Sequence, residues 1–406
     1  MFLCNLTATG TVDFNAATVG GQLACSDATL DNAGGMALDA QGVQVTAGLF
    51  LRDLAATGTV NVAEATVGGQ LDCNGATLIG PMVDGKRGKA LFAQGVQVTA
   101  GLGLRNLTAT GTVDFNAATV GGQLACDGAT LDGAGQTAFE ATRLEVKQGF
   151  FWRGLKSVKG RVDLTAAHVG DLWDDAASWP RDPDMLGLDG FTYDRIVDAP
   201  TDPAMRLEWL RRGGRYRGTF YPQPYVHLAK VLRQMGHEAG ARDVLVALGT
   251  LSRAEARKAA MGPQAGQVSG VMWLLNPFRW FWDQLEWAVI GYGHRPKNAL
   301  IALSILWGVA TYLADRTWDE GSFAPNSAVV LTSPGWTGLL AVDCIGDMPD
   351  PLPPGVTACD PNPADTWSAR AAAGMDWDSF SPWGYGIDLV VPILNLGQTD
   401  AWAPSR

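Results

Sequence analysis

The chain has 406 residues, enough for two or three domains, and its 47% hydrophobic content can fill real cores. Its 50 glycines follow no Gly-X-Y period, which excludes a collagen-like rod. A net charge of -11, with only 17% charged residues and no basic face, excludes a general nucleic-acid binder.

The first third is repetitive. NLTATGTVDFNAATVGGQLAC occurs unchanged at Asn5–Cys25 and Asn106–Cys126, and an edited copy fills Asp53–Cys73. Aligning the copies on Gly10, Gly58 and Gly111 gives offsets of 48 and 53 residues, and a smaller unit of eleven residues recurs inside each. TVDF, GQLAC, GVQV and GLFL alternate apolar with small or polar residues, the period of a strand, and no window carries a helical stripe. Short strands, small-residue corners and a fixed period predict a parallel β-solenoid, or β-helix, over residues 1–175. Met1–Leu6 matches Leu49–Leu54, so the chain as given starts in mid-repeat with no signal peptide ahead of it. Its first coil is then expected to be open, a point for self-association through the solenoid ends.

Three features of the repeat invite a chemical reading. Cys25, Cys73 and Cys126 are equivalent, but at least two coils separate each from the next, roughly 10 Å, so buried reduced thiols are expected rather than a metal site or a disulfide. GPMVDGKR resembles a phosphate loop, yet Arg87 stands where a Ser or Thr is needed and a strand follows instead of a helix, so an inserted solenoid turn is the better reading. Asp13, Asp72 and Asp114 are scattered and lack a partner carboxylate or lysine, so no catalytic or cofactor-binding residue is assigned.

Residues 176–200 are rich in Pro and Asp and read as a linker. A helical hairpin region is expected over 201–268: a helix capped by Thr201, then a stripe of Tyr225, Leu228, Ala229, Leu232 and Met235 ending at Gly236, then Ala241, Val244, Leu245 and Leu248. His227 and His237 fall on different helices and do not read as a metal pair.

Residues 269–293 (aromatic, but carrying Arg279, Asp283 and Glu286) read as an amphipathic helix lying in a membrane interface. Gly291-Tyr292-Gly293 lacks the rest of a potassium filter and reads as a hinge. The seventeen uncharged residues Asn298–Ala314 fix one transmembrane helix at 298–315. Arg295 and Lys297 precede it, while Asp315, Asp319 and Glu320 follow, so the solenoid is expected on the cytoplasmic side and the tail, 316–406, outside. Trp280, Trp282, Trp287, Trp307 and Trp318 serve as interfacial anchors with Arg295 and Lys297, and the partner is the lipid bilayer. In an oxidising compartment Cys344 and Cys359, fifteen residues apart, are able to pair as a disulfide. GIDLVVPILNLG is too short to span and is broken by Pro392, which leaves a re-entrant, surface-lying or tail-packed segment.

The blocks WPxxxxxLGLDGFTYDRI, YPQPYVHLAKVLRQMGHEAGARDVL, GYGHRPKNAL and IDLVVPILNLGQTDAWAPS together resemble a bacterial membrane-protein family. Its members join bactofilin- and pentapeptide-like solenoid repeats to such a helical membrane tail, and are labelled membrane-associated oxidoreductase or hypothetical protein. The resemblance covers nearly the whole chain and implies the bacterial inner membrane; members commonly continue into a further spanning helix. The oxidoreductase label has no support in the residues: there is no G-x-G-x-x-G after a strand, no C-x-x-C and no flavin or haem motif, and no cofactor is expected. The expected function is a membrane-anchored scaffold or interaction protein; a channel or membrane sensor subunit and the oxidoreductase are the alternatives.

Overall fold

The computed structural model describes residues 1–261 except 183, 217 and 218, then 282, 284, 296–340 and 362–405. Contacts divide the chain into two compact units, Met1–Pro277 and Phe278–Arg406.

The first unit opens with a parallel β-solenoid of about eight coils. Parallel pairing runs unbroken up one column, from Thr18 through Gln44, Thr66, Gln97, Thr119, Glu145 and His168 to Thr192. The strands are short because the backbone turns at left-handed corners: Asn5, Ala16 and Asp27 have φ of 57°, 53° and 56°, and the eleven-residue spacing resumes at Gly42, Asp53, Glu64 and Gly75. Two such units make one coil. Asn, Asp and Gly, which tolerate this conformation, hold five of these seven corners, while Ala16 and Glu64 carry its strain at the other two.

An aspartate often precedes the corner and folds it. Asp13, Asp72 and Asp114 each accept the N–H two residues on, at 2.8, 3.0 and 2.9 Å. The carboxylates that lacked a catalytic partner in the sequence are therefore turn-formers. The expectation that these aspartates have no lysine partner fails at Asp114, which is buried and whose other oxygen takes a 2.6 Å ion pair from Lys89.

Inside, alternate residues stack on their counterparts. Leu38, Val60, Leu91, Val113, Phe139, Val162 and Leu186 form one column, and every member is fully buried. Each buried side chain of this kind contributes about 1.5–3 kcal/mol, so the column is a main source of stability. In another column successive rungs place Cys25, Leu51, Cys73, Leu104 and Cys126 one above the next. A leucine therefore separates each thiol from its neighbour, and all three cysteines are buried and free. Burial pushes the Cys25 thiol up to about 11 and the Cys73 thiol to about 12, and raises Cys126 as well.

Two expectations need correcting. The phosphate-loop lookalike is neither a loop for phosphate nor an extra turn: Met82–Val83 pairs antiparallel with Lys86–Arg87 as a hairpin finger. Asp84 and Gly85, with φ of 49° and 73°, form its tip, the Asp-Gly pair that a type I′ turn demands. The stretch read as a linker is also part of the solenoid. Leu186–Gly187 pairs with Val162 and Asp163, and Thr192–Ile196 pairs with the strand at His168–Asp174. The repeat survives there as LGLDGFTY, with its corner at Gly190 (φ 72°), behind a prolyl spacer that disguised it.

Helices follow: α1 (Pro203–Gly213), α2 (Gln223–Gln234) and α3 (Glu238–Met261). Asp202, not Thr201, caps α1, its carboxylate accepting from Met205 N at 3.0 Å, with Pro203 in the first turn. Tyr225, Leu228, Ala229 and Leu232 of α2 and Ala241 and Val244 of α3 are buried in the same core as the solenoid. Gly236, φ 85°, separates the two helices.

In the second unit α4 (Pro296–Asp319) contains the apolar segment, and one face of it meets a folded tail. That tail comprises α5 (Ala328–Leu331), α6 (Pro334–Leu340), α7 (Pro363–Arg370), α8 (Ala372–Met375), α9 (Pro382–Val390) and α10 (Gln398–Ala401) among the described residues. Phe323–Pro325 pairs antiparallel with Trp402–Pro404, and Trp336, Trp367 and Trp402 are buried together.

Candidate functional site

The last coils are closed by a polar latch set in aromatic rings. Asp174, on the last full coil, holds Arg206 of α1 through two hydrogen bonds of 2.7 and 2.8 Å, and both side chains are nearly inaccessible, at 2% and 3%. Trp179 donates its indole N–H to the same carboxylate at 2.7 Å, and Arg206 Nε donates to Pro200 O at 2.6 Å. Trp152, Trp179 and Trp209 lie in sequence with ring centroids 5.4 and 5.6 Å apart. Burial alone would depress the Arg206 guanidinium, but Asp174 outweighs it and its pKa is raised. Arg206 stays charged, and the pair is fully engaged and shut off from solvent. This is the chemistry of a fastening, not of a catalytic acid or base.

A second fastening carries a titratable group. His227 of α2 sits edge-on against the Tyr193 ring at 4.7 Å, and its Nε2 lies 2.9 Å from both the Tyr193 N–H and the Tyr193 carbonyl. The neutral ring accepts from the N–H in its Nδ1-protonated tautomer or donates to the carbonyl in its Nε2-protonated one, whereas a protonated ring can only donate. Burial, against the pull of the Tyr193 carbonyl, holds His227 below its ordinary value of 6.5, with Lys230 and His168 acting in the same direction and Asp194 opposing. A lowered folded pKa means that the unfolded chain binds the proton more readily. Stability is expected to be complete above about pH 6.5 and to fall as pH drops below that toward the folded value, as read by urea unfolding at a series of pH values. His227→Gln should flatten that part of the profile; an unchanged slope would remove the histidine from the account.

A cavity of about 310 Å³ borders this cap, lined by Thr142, Arg161, Asp163, Thr165, Asp189, Arg215 and Tyr221. Its cations are engaged: Arg161 bonds Asp163 at 3.2 Å and the Asp184 carbonyl at 2.7 Å, and Arg215 pairs with Glu255. Among the described residues no group of three or more His, Cys, Asp or Glu is placed to hold a metal ion. His237 is exposed on α3's approach, away from the half-buried His227.

The membrane residues read from sequence divide into two sets. Trp280, Trp287, Arg295, Cys344 and Cys359, with the 269–293 segment apart from Trp282 and Gln284, lie outside the described residues. Trp282 is 56% exposed, and Lys297 is exposed at the start of α4. Trp307 donates its indole N–H to the Trp383 carbonyl at 3.0 Å. Trp318 is not a free interfacial anchor: it stacks on Phe380 at 4.2 Å and 3°, inside the aromatic core of the tail. α4 is long and apolar enough to cross a membrane by length and composition, and only 11% of its apolar window is buried. Sequence reasoning missed the Asp174–Arg206 latch, whose partners are 32 residues apart with nothing local to join them. Comparison with known proteins finds no matching family model and no similar curated sequence.

Proposed function

We propose that this chain is a membrane-anchored scaffold: α4 holds it in the bilayer, and the solenoid offers its outer surface to other proteins or to copies of itself. The observation that carries the reading is the contrast between the two units. The solenoid interior is filled by apolar side chains, leaving its outer columns as the usable surface. On α4 the apolar side chains face outward instead, with Leu300, Ile301, Ile305, Leu306, Val309 and Leu313 between 52% and 66% exposed. So much exposed apolar surface on one helix calls for lipid or an equivalent apolar partner. Arg295 and Lys297 at the start of α4, with Asp315, Asp319 and Glu320 at its end, support a cytoplasmic solenoid, and the bacterial inner membrane follows from the family resemblance alone.

Membrane flotation tests the anchor. The full chain should rise with lipid vesicles and resist alkaline extraction, whereas Leu306→Arg with Val309→Arg should stay in the soluble or aggregated fraction. Each arginine at the helix centre costs about 2.5–3.5 kcal/mol of insertion free energy. Release of the unaltered chain by alkali would end the anchor reading. Self-association is read by light scattering of the full chain in lipid nanodiscs or detergent, where a strict monomer at high concentration counts against it.

A further inference from the structure

The tail carries a second apolar surface beside α4, and it is built differently from a spanning helix. α9 lies directly on α4: a Cβ at Gly386 would fall 2.6 Å from Thr311 Oγ1 and 2.9 Å from Thr311 N, so only glycine allows the approach. Trp307 and Trp383 are joined by the hydrogen bond already described. Close backbone contact through a glycine is the packing used where lipid surrounds helices and no water-driven force presses them together.

Beyond α9 the chain turns back in an irregular loop whose tip is apolar. Ile393 is 95% exposed, Leu394 58% and Leu396 48%, with Leu389 and Trp383 of α9 also exposed. From Leu389 to Thr399 the sequence LVVPILNLGQT carries no charge. Part of the loop's backbone is held from within, though the N–H groups of Ile393 and Asn395 at the tip are not. Asp388, only 5% exposed, accepts from the N–H groups of Leu396, Gln398 and Thr399. Asn395 Oδ1 accepts from Gly397 N at 3.0 Å, Leu394 N bonds the Val391 carbonyl at 2.9 Å, and Pro392 has no N–H to satisfy. Partial pairing of this kind lowers the cost of bringing the loop to hydrocarbon, where unpaired N–H groups cost several kcal/mol each.

We infer that α9 and the loop around Ile393 form a membrane-inserted wedge, with lipid acyl chains as the partner of the Ile393–Leu396 tip. The inference rests on the reading of α4 as a membrane span, because the wedge continues the lipid-facing surface of that helix. The acidic surroundings (Asp400 and the net negative tail) exclude attraction to anionic headgroups as its driving force, so it inserts by apolar area alone.

The test is a pair of spin labels, at Ile393→Cys and at Leu306→Cys, in the full chain with Cys4, Cys344 and Cys359 replaced by serine. The protein is reconstituted in neutral phosphatidylcholine vesicles. Both labels should be relaxed far more by oxygen, which concentrates in lipid, than by a water-soluble nickel chelate. A nickel-accessible label at 393 beside a lipid-buried label at 306 overturns the wedge and leaves the span intact. Labels at 393 shielded from both reagents and broadened by one another mean that a second copy covers the tip, which also overturns it. Nickel access at both positions sinks the span, and the wedge with it. Because Ile393 is almost wholly exposed, its replacement leaves the fold unchanged, and native tryptophan fluorescence verifies that before labelling.

Discussion

Arg206→Met is expected to destabilise the first unit by about 3–5 kcal/mol, one of the largest effects of any single substitution in it. The methionine fills much of the same space, so the loss comes from Asp174. That carboxylate is 2% accessible and would keep only the Trp179 indole N–H as a partner. A charge left unpaired there costs far more than the pair itself contributes. The companion variant, Arg206→Met with Asp174→Leu, removes both charges and should recover most of the loss, since apolar replacements of buried ion pairs are often neutral. Urea unfolding of the full chain, followed by the fluorescence of the cap tryptophans, measures both. If the single variant unfolds at the wild-type midpoint, or the double variant is the worse of the two, the latch does not hold α1 to the solenoid.

A change of one methyl group at two corners of the same coil should have very unequal effects. Gly111 has φ of 117°, and a Cβ there would stand 2.3 Å from the Gly88 carbonyl oxygen and 3.2 Å from Ala90 N. Both neighbours are backbone of the adjacent coil and cannot step aside, so Gly111→Ala is expected to cost about 3 kcal/mol from strain and overpacking together. Ala117, six residues on, already carries a side chain at φ 55°. Ala117→Gly relieves about 1–2 kcal/mol of left-handed strain and loses about 0.4–1 kcal/mol to a more flexible unfolded chain, a net gain of between about 0 and 1.6 kcal/mol. Midpoints compared at equal urea sensitivity give the answer. A tolerant Gly111→Ala would mean the coils are spaced more loosely than their hydrogen bonds indicate.

Much of the solenoid was legible because its physics is one-dimensional. The eleven-residue unit encodes its own corner, and each coil needs only its neighbour, so repetition in sequence becomes repetition in space. The separation of Cys25, Cys73 and Cys126 followed from counting, and the alternation with Leu51 and Leu104 bears it out. Reading failed where the unit was interrupted. The prolines at 180 and 183 suggested a linker, although LGLDGFTY still matches the register of VDLTAAHV at residues 162–169. Asp84-Gly85 was a turn signal overlooked because the surrounding letters looked like a nucleotide motif. The latch was invisible for another reason. An aspartate in a strand and an arginine in a helix carry no local mark of burial, and only the packing of Trp179 and Trp209 around them creates it. The tail showed its apolar segments but not their assembly, because stacking of Trp318 on Phe380 joins positions 62 residues apart.

The cysteine column gives the solenoid a built-in gauge of its own integrity. Each thiol sits in every second coil, dry and too weakly acidic to react while the stack is closed. A thiol reagent can reach it only when the coils on either side part. Cys25, Cys73 and Cys126 thus mark three heights along the stack, and the order in which they become modified under native conditions records from which end the structure comes undone.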